Sequence, residues 1–261
     1  MKPFAILGLL LGLTFSTNAA AVDEAAIKQL APTGTLRVGV AYAPSKTPIF
    51  VAKDASGEMH GVPRDIGQAL GKALGVPVEI VVKATTGELT DACVAGAIDI
   101  GFMPADDERR KRVDFSPPYF VIESTYLAVP ADIKTLADVD RPDITVVGVA
   151  GSTTMRAATR TLKTAKVVPA KSVDDAMAMI KSGGAQAFAL THDALPALQP
   201  QVPGSRILDG AFQVTDVSIA IAKDRPAALA FIKEFVARAK ADGTIRRAFD
   251  DAGLKGLAVA P

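Results

Sequence analysis

Arg109, Arg110, Lys111 and Arg112 form an unbroken basic run near the middle of the chain. A guanidinium is planar and offers paired donors that match a carboxylate. One of these arginines is therefore a candidate anchor for an acid; the alternative is a solvated basic run. Ser152 and Thr153 form a second candidate, after the apolar stretch ITVVGVAG. If a helix starts there, its free backbone N–H groups carry partial positive charge and favour an anion. An ordinary helix cap is the competing reading, and both can hold. Cys93 is the single cysteine. It cannot close an internal disulfide, and its spacing with Leu89, Ala92 and Gly96 reads as a buried helix face. His60 and His192 lie far apart without ligand spacing, so no metal is expected. The chain carries no Gly-x-Ser-x-Gly elbow, no His-Glu-x-x-His and no Gly-x-x-x-x-Gly-Lys loop. No familiar catalytic or metal motif is present among these residues.

Elements must hold those residues in place. Residues 36–40 (LRVGV) read as a strand. Residues 61–75 carry an apolar helical stripe at Ile66, Leu70, Ala73 and Leu74, stopped by Gly75 and Pro77. Residues 78–82 form the next strand, a helix around Cys93 follows, and 98–102 (IDIGF) form a third strand. That order is βαβαβ, which predicts a parallel sheet covered by helices. The pattern then restarts. Residues 126–129 and 144–149 are extended, and Ser152 opens a helix. Ser172 with Asp175 fits a capping box opening another helix, closed by Gly183 and Gly184. Residues 187–190 are again a strand. After a further strand at 217–222, residues 226–241 form a long amphipathic helix and 244–252 a short one. That last piece is too small to stand alone and should dock on the first unit, so two strands cross between lobes and make a hinge.

The N-terminus sets the compartment. Met1-Lys2, an apolar run from Phe4 to Leu13, and small residues through Ala21 have the order of a secretory signal peptide. The run is too short to span a bilayer, which needs roughly 20 residues. Cleavage after Ala21 leaves about 240 residues, enough for two lobes. With 29 basic against 28 acidic residues, the formal charge is +1. Neither nucleic acid nor an anionic membrane is suggested as a partner.

Several stretches resemble a known family. GVPRDIGQAL at 61–70 is similar to the "GFDVDLA" opening of family 3 extracellular solute-binding proteins, the amino-acid-type receptors of ABC transporters. IDIG at 98–101, followed by DERRKRVDFSPPY at 107–119, resembles that family's "DxxxxxxxTxERxxxVDFSxPY" segment. GSTT at 151–154 resembles its second-lobe "GTT" turn, and ADGTI at 241–245 its "ADGT" segment. The resemblance runs from about Leu36 to Gly253.

It implies a type II periplasmic-binding-protein fold: a two-lobed α/β architecture with two parallel-dominated sheets and a two-strand hinge. Residues 1–21 are the signal peptide, 32–126 and 217–261 the two parts of lobe 1, and 127–216 lobe 2. Within the basic run it singles out Arg109 as the carboxylate clamp. It places Ser152 and Thr153 at the second-lobe carboxylate site and Phe50 at the cleft wall, where a core role competes. The chain also departs from the family. Gly101-Phe-Met-Pro104 replaces the hydroxyl-bearing "GMSIT", and residues 186–193, with Thr191, break the "DAxxxD" pattern. The acid that would meet an α-ammonium is missing or displaced to Asp193. Glu123, near the crossover, is an alternative source of a carboxylate; an exposed or hinge-bracing acid is its competing role.

The expected function is a periplasmic, monomeric receptor that closes on a small carboxylate-bearing ligand and delivers it to an ABC permease. The ligand set is Arg109, Phe50, Ser152, Thr153, Glu123, Pro104 and Thr191. Alternatives on the same fold are a cyclohexadienyl-dehydratase-like lyase using Arg109 and Glu123, and a sensor for a membrane receptor.

Overall fold

The computed structural model describes residues 24–42, 47–129 and 131–261. The signal peptide and its cut after Ala21 fall outside those residues.

Helix α1 (Glu24–Leu30) leads into strand β1 (Leu36–Ala41), and a small hairpin follows, β2 (Ala52–Lys53) with β3 (Met59–His60). Helix α2 (Val62–Leu74) carries Pro63 in its first turn and ends on Gly75 in the left-handed conformation, φ 75°. Glycine takes that conformation without a Cβ penalty, which explains the sharp stop. Strand β4 (Val78–Lys83) and helix α3 (Thr86–Val94) come next, the Thr85 hydroxyl accepting from the Glu88 N–H. Strand β5 (Ile100–Pro104), a four-residue helix α4 (Asp107–Arg110) and strand β6 (Val113–Phe115) complete the first unit. Strand β7 (Phe120–Ala128) carries the chain to the second: β8 (Thr145–Val149), α5 (Thr153–Thr161), β9 (Lys166–Ala170), α6 (Val173–Lys181), β10 (Ala187–Thr191), α7 (Leu195–Leu198) and β11 (Arg206–Ile207). Strand β12 (Gln213–Ala222) leads back to α8 (Pro226–Ala241) and α9 (Thr244–Asp251), which pack on α1 and α2.

Among the described residues, ten strands join one curled mixed sheet, with a main order of β4-β1-β5-β12-β7-β10-β8-β9. The β4-β1-β5 and β10-β8-β9 ladders are parallel, as repeated βαβ units require. Two separate sheets were expected from the sequence. They merge because the crossover strands β7 and β12 are antiparallel partners, Gln213 opposite Ser124 through Val217 opposite Phe120. Each lobe keeps its own cores. One in the first joins Val38, Leu70, Phe102, Ile219, Ile232 and Phe249; one in the second joins Leu127, Val147, Phe188 and Leu195.

Two polar devices brace the frame. Asp99 is fully buried and takes Arg37 Nε at 3.0 Å, Arg37 Nη2 at 2.7 Å and the Arg37 backbone N–H at 2.8 Å, tying the approach to β5 onto β1. On the surface of the second lobe, the Asp140 carboxylate accepts from the backbone N–H groups of Lys163, Thr164 and Ala165. Cys93 is buried, and burial pushes its thiol up to about 12, which leaves it inert. Among the described residues no helix is long and apolar enough to cross a membrane.

Candidate functional site

The carboxyl ends of the parallel strands from both lobes converge on one cavity of about 310 Å³. Open parallel sheets gather ligands at those ends, and this volume lies at the lower end of the roughly 300–1,000 Å³ of small-molecule sites. Ala41, Ala84 and Pro104 mark the ends of the first-lobe strands, and Val149 and Thr191 those of the second. The N-terminal turns of α3, α5 and α6 reach the cavity through Thr86, Thr153 and Val173. The first N–H groups of each helix lack intrahelical partners, so three partial positive charges meet there.

Ser152 caps α5; its hydroxyl accepts from the Met155 N–H at 3.0 Å, so the capping reading holds and the residue also lines the cavity. Thr153 is buried beside it. Phe50 combines both roles proposed for it: it lines the cavity and packs against the first-lobe core. Pro104 and Thr191 line the cavity as well.

Arg109 lies behind the lining. The Asp106 carboxylate caps α4 by accepting from the Arg109 N–H at 3.0 Å, and the single helical turn folds the side chain back under β5. Arg109 is only 2% exposed. Its Nη1 donates to the Pro104 carbonyl at 2.6 Å, and its Nη2 to Thr86 Oγ1 at 2.9 Å and to the Gly151 carbonyl at 3.0 Å. All three acceptors are neutral, and none of the described ion pairs includes Arg109. Burial, reinforced by Arg156, pushes the guanidinium down to about 9 against the pull of Asp106. It remains charged at neutral pH, a buried cation with Asp106 nearby but no direct ion-pair partner among the described residues, which is costly until an anion arrives. By contrast Arg110 is exposed over the Phe115 ring at 5.4 Å, and Lys111 is exposed beside Glu108.

The lobes meet around this group. Arg156 on α5 donates through Nε to Asp106 Oδ2 at 2.7 Å and through Nη1 to the Gly151 carbonyl at 3.0 Å. The Gly151 carbonyl thus takes an arginine from each lobe. A Cβ on Gly87 would meet Gly151 Cα at 3.3 Å, a tight contact that the two segments would have to ease apart to admit. On the far side, Thr47 Oγ1 donates to Asp193 Oδ2 at 3.0 Å.

Glu123 does not join the group. It is exposed on β7 and lines a second cavity of about 390 Å³, together with His192, Asp193 and the C-terminal segment. The strand alternation that buries Ile122 and Ser124 turns Glu123 to another side. Asp193 also lines that second cavity; burial raises its carboxyl above the usual range, opposed by the Thr191 and Thr47 hydroxyls. Thr86, Asp106, Gly151 and Arg156 were not singled out from sequence. Asp106 was legible as a cap three residues before Arg109. Nothing local marks Arg156, whose partner lies 50 residues away.

A model of the bacterial extracellular solute-binding proteins, family 3, matches residues 36–252. The glutamine-binding protein of Geobacillus stearothermophilus is 28% identical over 204 residues, 76% of each chain. Among solved structures, a mutant of ArgBP from T. maritima superposes with a TM-score of 0.74 at 26% identity, covering 87% of this chain and 99% of its own. The ancestral amino acid-binding protein AncCDT-1, a precursor of cyclohexadienyl dehydratase, gives 0.72 at 30% identity, covering 86% and 98%.

Proposed function

The chain belongs to the bacterial extracellular solute-binding proteins of family 3, with the type II periplasmic-binding-protein fold, and from that footing we propose that it captures a small carboxylate-bearing ligand by closing its lobes. Residues 32–126 and 217–261 act as one lobe and 127–216 as the other. The ligand carboxylate enters between the N-terminal turns of α3 and α5 and takes charge-assisted bonds from Arg109, with Ser152 and Thr153 on the facing lobe. Phe50, Pro104 and Thr191 contribute walls and polar contacts. The observation that carries this reading is the buried, carboxylate-free guanidinium of Arg109, bonded across the cleft to Gly151. An empty closed cleft leaves that charge with only Asp106, which Arg156 shares, to offset it; a ligand carboxylate completes the balance. Closure is thereby coupled to an anionic ligand, because the closed state alone offers the full set of contacts.

The working cycle is export through a signal peptide cut after Ala21, capture as a monomer, and delivery to an ABC permease in the membrane. The lyase alternative loses Glu123, the acid named for it, which opens on the other cavity.

The test is a thermal-shift panel of amino acids and other small carboxylic acids, followed by small-angle scattering. A ligand at 100 times its Kd should stabilise the fold by about 2.7 kcal/mol, and the same ligand should reduce the radius of gyration. A panel with no stabilising member, or stabilisation without contraction, defeats the proposal.

A further inference from the structure

We infer that the cavity is built for a carboxylic acid without an ammonium group, a 2-hydroxy or 2-oxo monocarboxylic acid, in preference to the matching α-amino acid. The inference rests on the carboxylate reading above and concerns the other end of the same ligand.

The lining carries the argument. Its polar side chains are hydroxyls, among them Thr47, Thr85, Thr86, Ser152, Thr153 and Thr191. Among the described residues, Asp174 is the one acid in the lining, and it is exposed in the first turn of α6. Two other buried or half-buried carboxylates, Asp106 and Asp193, are already engaged. Asp106 holds Arg156 and caps α4. Asp193 takes the Thr47 hydroxyl and lines the second cavity. Both are turned to partners that any ammonium would have to displace.

Charge balance then decides between ligand classes. Arg109 is the buried cation directly behind the lining, bonded to the Pro104 carbonyl and the Thr86 hydroxyl that line the cavity. One ligand carboxylate neutralises it. A zwitterion adds a second positive charge that, away from the exposed Asp174 at the α6 terminus, is desolvated against neutral hydroxyl oxygens, and burying an unpaired charge costs far more than burying a hydrogen-bonded neutral group. A hydroxyl or carbonyl at that carbon finds donors and acceptors in the same threonines and serines without any charge deficit. The remaining walls, Ala41, Phe50, Pro104, Val149, Leu190 and Ala194, are apolar. They suit a short hydrocarbon side chain.

Calorimetric titration with matched trios tests this: L-leucine, L-2-hydroxyisocaproate and 2-oxoisocaproate; L-phenylalanine, L-phenyllactate and phenylpyruvate; L-alanine, L-lactate and pyruvate. In the trios that bind, the hydroxy or oxo acid should exceed the amino acid by at least about tenfold. Thr191→Asp, which places a carboxylate in the lining, should shift that ratio toward the amino acid by a similar factor. An amino acid that binds the unmodified protein as tightly as its hydroxy and oxo partners overturns the inference and leaves the carboxylate reading standing. If no member of any trio binds, or if Arg109→Gln binds the acids as well as the unmodified protein, the carboxylate reading itself fails and the inference falls with it. Should Thr191→Asp fail to fold, the trio ratios on the unmodified protein decide alone.

Discussion

Replacing Arg109 by glutamine separates two quantities that usually move together. The side chain is 2% exposed and makes three hydrogen bonds of 2.6–3.0 Å, all to neutral acceptors. In the closed, liganded protein its removal leaves a carboxylate desolvated without a charged partner. Truncating one side of a buried charge pair costs about 2–5 kcal/mol, which is roughly a 30- to 4000-fold loss of affinity. The unliganded protein answers differently. Burial pushes this guanidinium down to about 9. A base whose folded pKa is lowered carries a penalty at every pH below that value, fully present at neutral pH. Removing the charge lifts the penalty in the empty closed state. The Arg109→Gln variant should therefore melt within about 1 kcal/mol of the parent while losing ligand, and its unliganded radius of gyration should be smaller. Arg110→Gln serves as the control. Its guanidinium over Phe115 is exposed, and such cation–π contacts contribute about 0.5–1 kcal/mol. Calorimetry with the tightest member of the panel, melting curves and scattering on both variants make the comparison. Equal affinity losses in the two, or a large melting loss in Arg109→Gln with affinity intact, would refute the reasoning.

Asp106→Ala and Arg156→Ala should weaken ligand binding non-additively, with a coupling of about 1–2 kcal/mol for a half-buried pair; additive losses in a double-mutant cycle would show that the two residues do not latch the lobes. Gly87→Val should leave the melting temperature of the unliganded protein nearly unchanged and weaken ligand at least about tenfold, because the added carbons meet Gly151 only on closure. Asp99→Ala removes the buried carboxylate that takes three bonds from Arg37, whose charge remains partly exposed, and should cost about 1.5–3 kcal/mol in denaturant unfolding. The N–H groups of Ala165, Thr164 and Lys163 hold the Asp140 carboxyl well below the usual carboxylate range. Its contribution is present above the unfolded value of about 4 and is lost as pH falls through the lower folded value. The melting-temperature gap between the parent and Asp140→Asn should be constant above about pH 5 and narrow on acidification; a gap that widens in acid contradicts that sign.

Much of the frame was legible because glycine and serine punctuate it. The helix between Gly61 and Gly75 and the one opened by Ser172 begin and end where those residues predict. Strand β5 lies two residues later than its apolar pattern suggested, since Asp99 is spent on Arg37 and the ladder runs on to Pro104 opposite Val217. Strand β9 escaped notice because Pro169 interrupts it; it occupies the sheet edge, where a missing N–H is tolerated. Arg109 was separable from its basic neighbours only through resemblance, because burial depends on how a single helical turn folds back under a strand. Glu123 was assigned to the cleft by its place in the chain, and strand alternation sent it elsewhere. Contacts such as Arg156 with Asp106 belong to no local pattern at all.

The path of the chain through β7 and β12 has a consequence for the order of assembly. The second lobe's strands from β8 to β11 come from one uninterrupted stretch, so a chain emerging from its N-terminus holds everything that stretch needs before residue 210. The first lobe does not: β5 lacks its second neighbour until β12 has appeared, and α1 and α2 lack their helical partners until α8 and α9 follow. Its apolar faces stay open until nearly the last residues are made.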